Sequence, residues 1–227
     1  MHPLSLSNAT GLLILLVAIS DPPASPAVQY ISSDTYTRYE LLAPESHQFK
    51  IYYEVTETRP GAKFHFNAIR EGSEATDESV IDLATGKPLK FEVVSGTQAA
   101  EASSDKTNSQ AERFNPAARY IQVHLAHPVP PRGEYRLAII KTYKDDKSYY
   151  SEGDAIVLKR ALGIPRDSVV LPAGYEIVSS SVATQVLSES DGRLKLSFVN
   201  PGSGGQLEVT IKARRLPSSA KRAEVSR

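Results

Sequence analysis

Apolar side chains recur at every second position along much of the chain. The clearest case is the stretch 133–143, whose apolar face carries Tyr135, Leu137 and Ile139. Glu134 and Arg136 fall on the opposite face, and this two-residue period is that of a β-strand with one buried side. Ala138 and Ile140 make the second face partly apolar, which indicates a strand near the middle of a sheet.

The same alternation predicts further strands, at 49–55, 64–68, 120–125, 194–198 and 207–211. The turn Arg59-Pro60-Gly61 predicts that the first two of these form a hairpin, and the short connection 200–205 predicts a hairpin of the last two. Asp191-Gly192, between two β runs, is a strong hairpin signal of its own.

No stretch has a sustained 3.6-residue apolar period, so the sequence predicts an all-β protein. We expect two stacked antiparallel β-sandwich modules, at 28–160 and 161–215, with one extended sandwich as the alternative. The small polar residues of 96–116 predict a mobile loop, because they bury too little apolar surface to offset the entropy of ordering. Residues 216–227 are polar and basic, which predicts a disordered tail.

The first 27 residues predict a signal peptide, and hence a secreted or periplasmic protein. Residues 11–19 form a short apolar run, and Pro22, Pro23 and Pro26 break any helix after it. The run is shorter than the ~20 residues that span a bilayer, so no transmembrane segment is expected in the mature chain. The first ten residues lack Lys and Arg, and a retained disordered leader is therefore the alternative.

Composition narrows the classes of function. The chain has 227 residues, with 26 Lys plus Arg and 26 Asp plus Glu, so no bulk charge attracts nucleic acid. Cysteine is absent, which excludes disulfides, thiolate nucleophiles and a lipoprotein anchor. Stability must therefore come from the packed core.

Motifs of known catalytic classes are missing from the sequence. His124 and His127 are three apart on a predicted strand, so their rings point to opposite faces and cannot readily share one metal ion. The H-E-x-x-H and G-x-S-x-G patterns are absent, and Gly202-Ser203-Gly204 lies between strands rather than at a strand-to-helix turn. A hydrolase with carboxylates gathered from separate strands stays open as an alternative.

One segment, 143–154, concentrates groups that could bind a ligand. Flat rings can stack on a sugar or a peptide, and the candidate rings are Tyr143, Tyr149 and Tyr150. Oxygen-rich turns can hold calcium, and the candidate ligands are Asp145, Asp146, Glu152 and Asp154. The spacing departs from an EF-hand loop, and a charged hairpin turn flanked by strand tyrosines explains the same residues without any ligand.

Residues 39–51, YELLAPESHQFKI, resemble the opening of the non-catalytic N-terminal β-domain of gluzincin aminopeptidases. The resemblance covers a strand, a turn with Pro44 and His47, and another strand. It implies that domain standing alone, because the chain has no zinc motif. Leu162-Gly163-Ile164-Pro165 and the stretch 170–175 look like a pattern of exported bacterial β-proteins of unassigned function.

These observations lead to an expected function. We expect an exported, non-enzymatic β-sandwich protein that acts as a binding or scaffold module, with a glycan or a protein as its partner. A carbohydrate- or peptide-binding module that uses the 143–154 segment is the first alternative, and the hydrolase is the second. No cofactor is expected, apart from calcium as the candidate ion.

Overall fold

The computed structural model describes residues 35–72, 74–103, 114–200 and 205–217. The predicted signal peptide, the middle of the predicted loop, the Gly202–Gly204 turn and the tail beyond residue 217 lie outside these described residues. Within them, no helix is long and apolar enough to cross a membrane.

Strands make up most of the described chain, and one helix interrupts them. In chain order the elements are β1 Tyr36–Leu41, β2 Gln48–Glu57, β3 Phe64–Ala68, β4 Glu74–Asp82, β5 Phe91–Ser95, α1 Gly96–Ser103, β6 Arg119–His124, β7 Tyr135–Lys144, β8 Tyr149–Glu152, β9 Ala155–Leu162, β10 Arg166–Val170, β11 Tyr175–Ser180, β12 Gln185–Ser188, β13 Leu194–Val199 and β14 Leu207–Arg215. A single 3₁₀ turn, Pro44–Ser46, joins β1 to β2. The prediction of an all-β protein is confirmed.

The strands form three sheets. The largest has seven strands in the order β12-β13-β10-β1-β2-β7-β4. A four-stranded sheet has the order β11-β14-β9-β8, and a three-stranded sheet has the order β3-β6-β5. Every pair is antiparallel except β1 with β10, which is parallel. The predicted central strand, β7, lies between β2 and β4 in the large sheet.

Strand pairs cross the module boundary that the sequence predicts at residues 160 and 161. β1 pairs with β10, so Tyr39 lies opposite Val169, and β9 pairs with β14, so Leu158 lies opposite Ile211. Segments 28–160 and 161–215 therefore share two sheets and do not form separate sandwiches. The described part of Ile31–Arg227 is one compact unit, closer to the extended sandwich that the sequence left open.

Only one of the three predicted hairpins forms. β12 and β13 pair around Asp191-Gly192, where Gly192 adopts a φ of +81° and its amide donates to Glu189 O at 3.0 Å. The other two predicted hairpins are wrong, because β2 and β3 lie in different sheets, as do β13 and β14. Alternation identifies a strand, but it does not identify the partner of that strand.

The described ends of the predicted mobile loop at 96–116 contain a helix and an aromatic contact. Residues 96–103 form α1, which lies against β3, β5 and β6, with Ala99 fully buried. A Cβ at Gly96 would lie 1.9 Å from Asn115 O, so this close backbone approach requires glycine. The ring of Phe114 packs at 5.0 Å from those of Phe66 and Tyr120. These contacts place the described residues at both ends of the predicted loop against neighbouring strands.

Two hydrophobic cores lie along one face of the seven-stranded sheet. The first core contains Phe49, Ile51 and Tyr143 together with side chains of β9 and β14, and the second contains Leu137 and Ile139 together with side chains of β6. On β7 the core residues are two apart, so they share one face. Tyr53 and Ala75 pack against both cores. We call the boundary between the two cores the seam.

Candidate functional site

The structure buries two of the three tyrosines predicted to bind a ligand. Tyr143 is 2% exposed and Tyr149 is fully buried, whereas Tyr150 is half-buried. The hydroxyl of Tyr149 donates to Leu42 O at 2.9 Å, and that of Tyr143 accepts from the Arg70 amide at 3.3 Å. The three rings are therefore not presented on one exposed surface, which corrects the predicted site. Tyr143 and Tyr149 lie on the core-facing sides of their strands, so both side chains pack in the first core.

The four predicted calcium ligands do not converge. Asp145 accepts hydrogen bonds from the amide and the hydroxyl of Ser148, at 3.0 and 2.6 Å. Glu152 pairs with Lys212 at 2.5 Å, while Asp146 and Asp154 are exposed. In the described ranges, no group of three or more His, Cys, Asp or Glu side chains is arranged to hold a metal ion.

A cavity of about 220 Å³ lies at the seam instead, and we call it the seam cavity. Its lining comes from β1, β2, β3, β7, β9 and two connections, through Thr37, Tyr39, Ile51, Tyr53, Asn67, Ala68, Arg70, Lys141, Tyr143, Arg160 and Ile164. The strand register explains why these residues meet. Tyr39 lies opposite Ile51, and Ile51 lies opposite Lys141, so the three form one row across the large sheet.

Lys141 is a buried cation in this cavity, with an exposed fraction of 4%. Its ammonium group donates to Asn67 Oδ1 at 2.5 Å and lies 5.0 Å from the centre of the Tyr143 ring. Burial lowers the pKa of Lys141 to about 8, and the charge of Arg160 acts in the same direction, while Glu78 opposes the shift. The amine therefore keeps most of its charge at neutral pH.

Arg160 is the second buried cation, with an exposed fraction of 7%. Its guanidinium lies 5.0 Å from the centre of the Tyr39 ring and 4.9 Å from that of Phe49. Nη1 lies 3.8 Å from Asp145 Oδ2, and neither Nε nor Nη1 has a hydrogen-bond partner. Buried donors without acceptors are uncommon and costly, and here they belong to a side chain that lines the cavity.

Asp167 is buried beside these cations, on the strand next to Thr37. It is 2% exposed, and its Oδ1 has no hydrogen-bond partner. Burial raises the pKa of Asp167 to about 7, although the charge of Arg160 opposes the shift. The acid therefore titrates near neutral pH, close to the seam cavity but outside its lining.

Lys141 and Arg160 are marked in the sequence by the strand pattern and not by a motif. Lys141 continues the core-facing series Tyr135, Leu137 and Ile139, and Arg160 continues the series Ile156 and Leu158. A charged side chain at a core-facing position of a strand is expensive to bury unless it is paired. A charged residue within an otherwise apolar, core-facing series therefore marks the candidate site, rather than any catalytic motif.

A second polar cluster lies away from the seam cavity, at the end of β2. Glu57 accepts hydrogen bonds from Arg59 Nη2 at 2.7 Å and Nε at 2.8 Å, and its Oε2 lies 3.0 Å from His65 Nδ1. Burial by itself would raise the pKa of Glu57, but the hydrogen bonds from Arg59 and His65 outweigh it and lower the pKa to about 2.

Glu57→Gln is expected to remove part of the acid sensitivity of the protein. The lowered pKa of Glu57 means that its stabilisation is complete above the ordinary value of 4.5 and is lost as the pH falls towards about 2. We expect this loss to be on the order of 2 kcal/mol in the wild type and much smaller in the variant. Urea unfolding at several pH values measures it, and Glu71→Gln, at an exposed glutamate, is the control.

A larger cavity of about 490 Å³ adjoins the seam cavity and shares Ala68 and Arg70 with it. It is lined by the segments 68–72 and 115–120, most of whose residues are exposed or half-buried. We call it the outer cavity. The two cavities are therefore neighbours, with Ala68 and Arg70 at the boundary between them.

No family model matches the sequence, and no curated protein matches it. Among solved structures, an aminopeptidase N family protein from Idiomarina loihiensis is similar with a TM-score of 0.44 and 7% identity, over 78% of this chain and 29% of that one. An M1 zinc metallopeptidase from Deinococcus radiodurans is similar with a TM-score of 0.46 and 10% identity, over 79% of this chain and 41% of that one.

Both similar structures are M1 peptidases, and residues 39–51 were compared with the N-terminal β-domain of such enzymes. The chain spans less than half the length of either structure.

Proposed function

We propose that the protein is an exported, non-enzymatic β-sandwich module that binds a ligand in the seam cavity. The observation that carries this proposal is Arg160, a buried guanidinium that lines the cavity with two donor atoms unsatisfied. Leaving buried donors unpaired costs on the order of 1–3 kcal/mol each, and a ligand with acceptor atoms offsets that cost. The apolar run at 11–19 supports the export part of the proposal.

The lining of the cavity supports binding over hydrolysis. Among the described residues that line it, none is Asp, Glu or His. General acid–base catalysis at neutral pH uses such groups in most enzymes, and hydrolysis by paired carboxylates needs two acids facing the substrate. The available groups bind and orient a ligand through cationic donors, tyrosine hydroxyls and apolar walls.

Ile51 and Ile164 make the proposal testable, because both line the cavity and their methyl groups report on it. A screen of small neutral and charged compounds against the methyl-labelled full chain is expected to yield compounds that shift both signals. Ile121, which is fully buried in the second core, is expected to stay unshifted.

A blocking variant separates binding in the cavity from binding elsewhere. Ile164→Trp places a large ring at the half-buried wall of the cavity and is expected to weaken such compounds at least tenfold. Val186→Trp, at a position 47% exposed on β12, is the matched control and is expected to leave affinity unchanged. The proposal fails if no compound shifts the Ile51 and Ile164 signals, or if Ile164→Trp binds as tightly as the control.

A further inference from the structure

The geometry points to a ligand that carries a single carboxylate joined to an apolar body, with the carboxylate held by Lys141 and Arg160. This inference rests on the proposed function and names the chemical class of its ligand. Three observations support it: the charge of the lining, the unsatisfied donors, and the apolar walls of the seam cavity.

Charge is the first of these observations. The charged side chains that line the seam cavity are the buried cations Lys141 and Arg160 and the exposed cation Arg70. Between low-dielectric walls, such cations attract an anion far more strongly than they would in water. The ligand is therefore negatively charged.

Acids near the cations limit how much negative charge fits. Asp145 contacts Arg160 at 3.8 Å, Glu78 acts on Lys141, and Asp167 acts on Arg160. These three acids offset much of the charge of the three cations. One negative charge fits this balance better than a phosphate group, which carries between one and two.

Hydrogen bonding is the second observation. Nε and Nη1 of Arg160 both lack acceptors, and the ammonium of Lys141 has three donors, of which the bond to Asn67 uses one. A carboxylate offers two oxygens with about four acceptor sites, and bonds between ionised partners are roughly twice as strong as neutral ones. A neutral amide offers only one acceptor oxygen and would leave more of these donors unsatisfied.

The walls are the third observation. Ile51, Ile164 and the ring of Tyr53 contribute apolar surface beside the cations. The volume of about 220 Å³ equals roughly seven water molecules, enough for a carboxylate and a small ring. The outer cavity lies next to this space, at Ala68 and Arg70, and a small organic acid and the free end of a peptide both present such a carboxylate.

Matched probes test the class of ligand on the full chain. 3-Phenylpropionate and 3-phenylpropionamide differ only in the charged group, and calorimetry compares their affinities while the methyl signals of Ile51 and Ile164 locate them. We expect the acid to bind at least tenfold more tightly. The tripeptide Ala-Ala-Phe with a free carboxyl end and the same peptide with an amide end form the second pair.

Variants place the carboxylate at the two cations. Lys141→Met removes a buried charge without removing volume. The affinity of this variant for 3-phenylpropionate is expected to fall to its affinity for 3-phenylpropionamide. Lys144→Met, at the exposed end of the same strand, is the matched control and is expected to keep the difference. Arg160→Lys retains the charge, but its affinity for 3-phenylpropionate is expected to fall at least fivefold because the planar guanidinium donors are gone. An unchanged methyl spectrum outside the cavity shows that each variant folds.

The outcomes separate this inference from the proposed function. Equal binding of acid and amide at Ile51 and Ile164, or tighter binding of inorganic phosphate, overturns the carboxylate but leaves a ligand site in place. If no probe and no library compound shifts those signals, both proposals fall. Tighter binding of the free-ended tripeptide supports a peptide end, and tighter binding of 3-phenylpropionate supports a small acid.

Discussion

Replacing Leu196 with alanine is expected to lower the free energy of unfolding by about 3 kcal/mol, in one cooperative transition. Leu196 is fully buried in the first core, on β13. It lies opposite Val169, which lies opposite Tyr39, so a residue of the predicted second module packs with strands of the first. Because both segments share a core, the cavity left by the substitution destabilises the whole unit.

Leu187→Ala is the matched control, since Leu187 lies on the neighbouring β12 and is 39% exposed. We expect it to cost less than about 1 kcal/mol, because part of its surface is already in water. Urea unfolding followed by tyrosine fluorescence and by far-ultraviolet circular dichroism measures both variants. Two separate transitions in the wild type, or equal losses in the two variants, would contradict a shared core.

Asp167→Asn is expected to stabilise the protein above neutral pH, by a few kcal/mol. Asp167 is 2% exposed, and burial raises its pKa from 3.8 to about 7. With a folded-state pKa above the unfolded value, the folded state holds the proton more tightly. The resulting stabilisation is complete below about pH 3.8 and is lost as the pH rises through about 7. An asparagine stays neutral and avoids the cost of burying the charge.

Unfolding free energies at pH 5 and pH 8 test this prediction. The wild type is expected to lose stability between the two values relative to Asp167→Asn, and the variant is expected to have the flatter profile. Asp154→Asn, at an exposed position, is the control and should follow the wild type. A variant that is less stable than the wild type at pH 8 would show that the pairing of Asp167 with Arg160 outweighs desolvation.

Glu57 and Asp167 show how burial acts on a carboxyl group in two different settings. Both are buried acids, but Glu57 accepts hydrogen bonds from Arg59 and His65, which lower its pKa to about 2. Asp167 Oδ1 has no hydrogen-bond partner, and its pKa rises to about 7. The first group therefore makes the protein sensitive to acid, and the second makes it sensitive to alkali.

The seam gives the cationic residues a position that neither core alone would provide. On β7, Lys141 lies between Ile139 of the second core and Tyr143 of the first core. It therefore lies where the packing of β7 changes from one neighbouring sheet to the other. Arg160 reaches the same place from β9, in the four-stranded sheet. A ligand in the cavity would contact residues of all three sheets and is expected to stabilise the whole fold by mass action.

Much of the local structure follows from the sequence by itself. The two-residue alternation predicted the strands at 133–143, 49–55 and 207–211, and the Asp191-Gly192 turn predicted the pairing of β12 with β13. These features are determined locally. Side chains of a strand point to alternate faces, and Gly192 adopts the positive φ that the turn between β12 and β13 requires.

Only the tertiary structure decided which strands pair and which charged residues meet. β1 joins β10 across more than a hundred residues, and Ala99 and Phe114 pack at the two described ends of a segment that composition assigns to a loop. Lys141 and Arg160 come together only because two sheets pack on one face of a third. Alternation specifies which face of a strand is apolar, but the partner of that face is set by packing between distant segments, which no local pattern encodes.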